Sequence, residues 1–244
     1  MEKRTPVRFV ITAGPTREYL DPVRFLSNPS TGKMGFAIAA EAVRRGHDVT
    51  LIAGPVALKT PRGVRRVDVV SAREMLQASV SAVREARGGR KGGIVFISTA
   101  AVADWRPAKR SKTKLKKGQM SSTLKLVRNP DILKTLVRQF KGPRASGSSI
   151  VQPSTFNLQP LVFVGFAAET DHVREEASRK CREKGLSFIV ANDVTQKGCG
   201  FGTDTNRVTF VFPDGTQKPF PLLTKRRVAR EIMKACEASA SGTN

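Results

Sequence analysis

At 244 residues and 39% hydrophobic composition, the chain is long enough to bury one large core, and no stretch resembles a membrane span of roughly 20 apolar residues or the apolar region of a signal peptide. Lys and Arg number 43 against 20 Asp and Glu, a net charge of +23 that makes nucleic acid the first partner to consider; yet the cations are spread along the chain and aromatics are few (one Trp, one Tyr, 13 Phe), and such a field would equally attract phosphorylated small molecules. Cys181, Cys199 and Cys236 are widely spaced with no Cys-x-x-Cys pair, which argues against a disulfide framework or zinc site and predicts reduced thiols in a soluble, cytoplasmic protein.

Val7 to Ala13 is an apolar run bounded by turn residues, as in a strand buried on both faces of a parallel sheet. It leads to Ser27-Asn28-Pro29-Ser30-Thr31-Gly32-Lys33-Met34-Gly35, which opens a helix running from Met34 to Arg45 and closed by Gly46. The hydroxyls of Ser30 and Thr31 suit a helix cap. Open N–H groups and the helix dipole suit an anion, Gly32 and Gly35 admit it closely, and Lys33 adds a charge. It is not the Walker loop, because Ser27 replaces the first Gly and Met34 follows the Lys. An ordinary capped strand-to-helix turn would read the same way.

The stretches Thr12 to Glu18, Asp21-Pro22-Val23-Arg24 and Ser27 to Gly35 resemble the N-terminus of phosphopantothenate-cysteine ligases, and the resemblance returns along the chain. Asp48 to Pro55 reads as the next strand, completing a βαβ unit. A Rossmann NAD site is disfavoured, since Gly-x-Gly-x-x-Gly is missing after the first strand and no acidic residue ends the second. Val64 to Val70 reads as a third strand, and Ser71-x-x-Glu74 as the capping box of a helix to about Arg87. Ile94 to Ser98 is a further buried strand. The alternation predicts an α/β fold, a Rossmann-like doubly wound, mainly parallel sheet whose ligands lie beyond the carboxyl ends of the strands.

Behind Ser98 come Thr99-Ala100-Ala101-Val102-Ala103-Asp104, small residues against which a flat group can lie and a carboxylate able to hold a ribose hydroxyl. A tight strand end with an Asp turn is the plainer account; the resemblance implies that Ser98, Thr99, Ala100 and Asp104 contact the nucleotide. Lys109 to Gly118 is densely basic, which describes a solvated loop, a nucleic-acid patch or a lid drawn closed by a triphosphate. The family's Lys-rich flap implies the last, over about 106–120, with Lys114 on the triphosphate.

Leu124 to Val127 alternates like a strand, and Asn129-Pro130-Asp131-Ile132-Leu133 starts a helix with Asn129 as its cap. The resemblance places Pro130, Asp131, Ile132 and Leu133 at the nucleotide. About 142–160, rich in Ser, Gly and Pro, reads as a disordered loop. Leu161 to Thr170 is a buried strand carrying Phe166, a core residue on general grounds and a nucleotide neighbour by resemblance. The helix from Asp171 to Lys184 sets Lys180 and Lys184 on one face, either a solvated basic face or, as the family implies, nucleotide contacts. Leu186 to Ala191 is another strand, Asn206 to Phe212 an antiparallel one turning at Pro213-Asp214-Gly215, and Thr224 caps a last helix to about Glu237, with a frayed tail over about 239–244.

His47 and His172 sit in no motif, so no Ser-His-Asp or Cys-His arrangement is visible. The resemblance implies a single synthetase domain over 1–244 that makes an acyl-cytidylate from 4'-phosphopantothenate and CTP, then joins it to L-cysteine, with Asn28 acting on the intermediate, Lys114 on its formation, and Mg2+ (or Mn2+) on the phosphates. It implies a homodimer of the CTP-using bacterial branch, without flavin and served by a separate decarboxylase. The rival expectation is a basic nucleic-acid-binding protein on a nucleotide-binding α/β fold.

Overall fold

The computed structural model describes residues 6–89, 92–116, 118, 123–142, 159–169, 173–193, 196, 198–200 and 202–241. In chain order the elements are β1 (Arg8–Ala13), β2 (Arg17–Tyr19), β3 (Phe25–Ser27), α1 (Lys33–Arg44), β4 (Asp48–Ala53), β5 (Arg65–Asp68), α2 (Ala72–Gly88) and β6 (Ile94–Ser98). These are followed by β7 (Trp105–Pro107), β8 (Leu126–Arg128), α3 (Ile132–Lys141), β9 (Leu161–Glu169), α4 (Val173–Lys184) and β10 (Phe188–Asp193). Last come β11 (Thr205–Asn206), β12 (Val208–Val211), β13 (Gln217–Pro219), β14 (Leu223–Thr224) and α5 (Lys225–Ser241).

The main sheet has eight strands in the order β13-β12-β10-β9-β6-β1-β4-β5. From β5 to β10 every pairing is parallel, and β12 and β13 extend that edge antiparallel. The chain winds outward from β1 through β4 to β5, then restarts at β6 on the other side of β1. The crevice where strand order reverses therefore lies between the ends of β1 and β6, where ligands of open α/β sheets bind. The pleat explains the unbroken apolar runs. Phe9, Ile11, Val95 and Ile97 face a core made with α1 and α5, whereas Val10 and Phe96 face one made with α2, α3 and α4.

Several element ends differ from the sequence-based expectation for identifiable reasons. Helix α1 is capped by Gly32 in the left-handed region (φ 77°) with no side-chain cap, so the hydroxyls of Ser30 and Thr31 do not close it; the Ser30 hydroxyl instead accepts from the Gly32 N–H at 3.3 Å. Helix α3 is capped by Asp131, whose Oδ1 accepts from the Lys134 N–H at 2.9 Å, and not by Asn129. The Asn129 amide is committed elsewhere: Nδ2 donates to the Ala103 carbonyl at 2.8 Å and Oδ1 accepts from Arg106 at 3.0 Å. The expected box at α2 does form, with the Ser71 hydroxyl accepting from the Glu74 N–H, although the Glu74 carboxylate reaches back one residue further, to the Val70 N–H.

Helix α5 continues through Ser241 in place of fraying at about 239, because Ala240 is buried over Gly93 and the Ser241 hydroxyl donates to the Glu237 carbonyl. Thr224 does cap that helix, accepting from the Arg227 N–H at 3.3 Å. The short strand expected at Leu124 to Val127 lies at Leu126–Arg128, where it pairs with β7. The basic segment, expected as a solvated loop, a nucleic-acid patch or a lid, is docked over its described part: the Ser111 N–H donates to the Leu20 carbonyl at 2.8 Å, and Leu115 is hydrogen-bonded to Asp21 and Arg24. The expected loop at 142–160 and His172 lie largely or wholly outside the described residues. The three cysteines are buried thiols, and burial pushes the Cys236 thiol far up from its ordinary pKa.

Candidate functional site

Beyond the switch point the backbones of β1 and β6 remain stitched together. The Ala101 N–H donates to the Gly14 carbonyl at 2.9 Å, the Ala100 N–H to the Thr12 hydroxyl at 3.3 Å, and the Ala103 N–H to the Thr16 hydroxyl at 3.0 Å. This seam divides the crevice into two cavities that share Ala100 and Phe166.

The first cavity lies against α1. Ser30, Thr31, Gly32 and Lys33 line it together with Thr99, and its far wall comes from Asn192, Cys199, Gly200, Gly202, Asn206 and Lys225. A Cβ on Gly35 would stand 2.5 Å from the Thr99 hydroxyl and 2.6 Å from the Ala13 Cβ, so only glycine lets the helix start sit this close to the strand ends. With no side chain over the first turn, its N–H groups and the positive end of the dipole face the cavity.

Lys33 and Lys225 converge on one short loop. The Lys33 amine donates to the Gly202 carbonyl at 2.7 Å and pairs with Asp204 at 2.8 Å, while the Lys225 amine donates to the Thr203 carbonyl. Lys225 is buried, which lowers the pKa of its amine, and the neighbouring Lys33 lowers it further. The hydrogen bond from Lys33 holds the Asp204 carboxyl below its usual range. Two ammonium groups thus face the cavity beside a single carboxylate that is 86% exposed, an arrangement that favours an anion. Asn192 donates to the Cys199 carbonyl at 3.0 Å, but its buried Oδ1 has no partner among the described residues and would accept from a ligand donor or water.

The second cavity lies against α3 and gathers Ser98, Ala100, Asp104, Pro130, Asp131, Ile132, Leu133, Phe166 and Lys184. It brings together most of the residues that the resemblance assigns to the nucleotide. Asp104 is exposed, and the backbone around it is fixed by the Asn129 N–H donating to its carbonyl at 2.8 Å. Lys184 pairs with the Asp131 cap at 2.7 Å, placing a cation and a carboxylate on one rim. Lys180 lines neither cavity.

Asn28 lines neither cavity; its Nδ2 donates, at 3.2 Å each, to the carbonyls of Ala101, which lines the first, and Val102, which lines the second. Lys114 lies in the docked basic segment and its side chain is exposed; it lines neither cavity. Asn206, Cys199 and Lys225 were not foreseen as cavity residues. One signal was available for the last: Lys225-Arg226-Arg227 puts three cations in the first turn of a helix, where the dipole opposes them. Among the described residues no group of three or more His, Cys, Asp or Glu is placed to hold a metal ion, and no helix is long and apolar enough to cross a membrane.

Residues 5–239 match the family of the DNA/pantothenate metabolism flavoprotein C-terminal domain. The chain is 44% identical over 230 residues to the coenzyme A biosynthesis bifunctional protein CoaBC of Escherichia coli (strain K12), covering 93% of this chain and 50% of that protein. It therefore spans about half the length of the curated relatives it matches. A solved C-terminal domain of coenzyme A biosynthesis bifunctional protein CoaBC is 42% identical, with a TM-score of 0.70 over 95% of this chain and 96% of that one. A solved Cab2 variant in complex with phosphopantothenate-cysteine shares the fold, at 15% identity and a TM-score of 0.68 over 97% of this chain and 89% of that one.

Proposed function

Because the chain belongs to the family of the DNA/pantothenate metabolism flavoprotein C-terminal domain, we propose that it is a phosphopantothenate-cysteine ligase, one synthetase domain over 1–244. The observation that carries this reading is the pair of cavities meeting at Ala100 and Phe166, one suited to phosphates and the other to a sugar and base. Pyrophosphate leaves when the 4'-phosphopantothenate carboxylate attacks the α-phosphorus of a nucleoside triphosphate. The cysteine amine then attacks the acyl carbon, a nucleoside monophosphate departs, and the amine loses its proton. No nucleophile from the protein is required; positioning and charge suffice.

In this reading Ser98, Thr99, Ala100, Asp104, Pro130 to Leu133, Phe166 and Lys184 hold the nucleotide, Lys180, outside both cavities, would reach it only at its edge, and Ser30 to Lys33 receive phosphate. Lys114 serves the first step. Asn28 serves the second by exchanging one of its two carbonyl contacts for the acyl oxygen as that oxygen gains charge. CTP is the expected nucleotide. Mg2+ (or Mn2+) fits as a phosphate-borne ion held by few protein ligands, since no acidic cluster is available among the described residues; it would offset phosphate charge. A homodimer is supported by the exposed Val23 and Phe25 of one hairpin and Trp105 and Leu126 of the other, whose strands β2 and β7 pack together. A decarboxylase would take the product, in the cytoplasm.

The test is pyrophosphate release with Mg2+, 4'-phosphopantothenate and cysteine, comparing CTP with ATP and omitting each substrate in turn. Release that needs phosphopantothenate and prefers CTP is expected. No release with either nucleotide, from folded protein that binds nucleic acid in a salt-sensitive manner, would favour the nucleic-acid reading.

A further inference from the structure

Lys109, Arg110, Lys112, Lys114 and Lys116 crowd one segment, and their mutual repulsion should lift it off the protein. Backbone contacts oppose that. Leu115, the residue after Lys114, is gripped at both of its backbone polar atoms: its N–H donates to Asp21 Oδ2 at 3.2 Å and its carbonyl accepts from Arg24 Nη2 at 2.9 Å. The Asp21 side chain is wholly buried, and its two oxygens divide the contacts. Oδ1 closes the turn between β2 and β3 by accepting from the N–H groups of Val23 and Arg24, each at 2.8 Å. Oδ2 accepts from the Arg24 guanidinium, with Nε at 3.0 Å, as well as from Leu115. One half of the carboxylate therefore builds a local turn, and the other half reaches a segment 94 residues away.

We propose that Asp21 and Arg24 clamp Leu115 and so position the adjacent Lys114 for a nucleoside triphosphate, an inference that rests on the ligase reading. Asp21 touches no reacting atom here; it is a positioning residue acting through Arg24 and the Leu115 backbone. The clamp restrains the basic segment without drawing on its lysine side chains, because both of its bonds to Leu115 are made to backbone atoms.

Asp21→Asn separates the two halves. An oxygen retained at Oδ1 keeps the turn, while an NH2 at the Oδ2 position cannot accept from Leu115 or Arg24. In the full chain, tryptic cleavage after Lys112, Lys114 or Lys116 should accelerate roughly 10-fold while cleavage elsewhere is unchanged. The KM for the nucleotide in pyrophosphate release should rise roughly 10-fold or more, and Lys114→Gln should add little when placed on top of Asp21→Asn. Unchanged cleavage of the segment would overturn the clamp. Faster cleavage with an unchanged nucleotide KM, or full additivity with Lys114→Gln, would overturn the positioning role. If Asp21→Asn does not fold, Leu115→Pro deletes the gripped N–H and should give the same two changes, with cleavage read after Lys112 and Lys116 because trypsin does not cut a Lys–Pro bond. Absence of turnover in the unsubstituted protein would sink the ligase reading and leave the clamp to be decided by the cleavage rate alone.

Discussion

The two cavities flanking the end of β6 are built from opposite chemistry. Against α1, a helix start with no side-chain cap is lined by the amines of Lys225 and of Lys33, the latter paired with the exposed Asp204. Against α3, Asp104, Asp131 and a run of small and apolar residues form the wall, and Lys184 is already paired with Asp131. The first arrangement favours a group carrying several negative charges; the second offers acceptors to sugar hydroxyls and an apolar face to a base. A nucleotide laid across Ala100 and Phe166 would meet both at once. In the proposed reading the switch point sorts a ligand by charge where the two cavities meet, and Asn28 hydrogen-bonds one backbone carbonyl from the lining of each.

The largest expected effect falls on that meeting point. Asn28→Ala should leave formation of the acyl-nucleotide nearly intact and slow its transfer to cysteine by about 10²–10³, the usual loss on removing one donor to a developing oxyanion. Single-turnover assays that follow pyrophosphate and nucleoside monophosphate separately would check this, and equal slowing of both steps would remove Asn28 from the second. Next, Gly35→Ala should loosen the first cavity alone. Its new methyl group must displace Thr99 or Ala13, at a loss of roughly 1–3 kcal/mol that is readable by urea denaturation, with pyrophosphate affinity falling more than affinity for the nucleoside monophosphate.

A smaller effect is expected from acid. Glu41 on α1 is bound by Arg44 and Arg45, and Arg45 also binds Glu237 on α5, so this network ties together the two helices that supply Lys33 and Lys225. The Arg44 hydrogen bond pulls the Glu41 carboxyl from 4.5 down to about 2, against the opposing push of burial. A lowered carboxyl stabilises the fold above its unfolded pKa. That contribution, on the order of 1–2 kcal/mol, should be lost as pH falls from 4.5 through about 2. Glu41→Gln should flatten the pH dependence of the urea midpoint over this window, and an unchanged slope would show that the network contributes nothing.

Much of the second cavity was legible because its parts are short contiguous stretches. Ser98 to Asp104 follows a plainly buried strand and Pro130 to Leu133 begins a helix, so periodicity and turn residues located both elements, while only the family resemblance implied that they meet the nucleotide. The first cavity was legible only on its near side. Its far wall comes from Asn192, Cys199 and Lys225, which reach the α1 loop because β12 reverses direction at the sheet edge and α5 returns to pack on α1. No local pattern records that return. The caps of α1 and α3 were misplaced for a related reason: whether Asn129 or Asp131 caps depends on Ala103 and Arg106 claiming the Asn129 amide. Likewise the docking of the basic segment depends on Asp21, whose neighbours in sequence give no hint of Leu115.

The division of a nucleotide between the cavities is tested most directly by calorimetric titration of CMP and pyrophosphate into the protein, singly and together. CMP and pyrophosphate should bind simultaneously. Lys225→Met should weaken pyrophosphate by about 10-fold with CMP unchanged, and Lys184→Met should do the reverse, since each removes one charged contact from one side only. Mutually exclusive binding, or variants that weaken both ligands alike, would contradict the division.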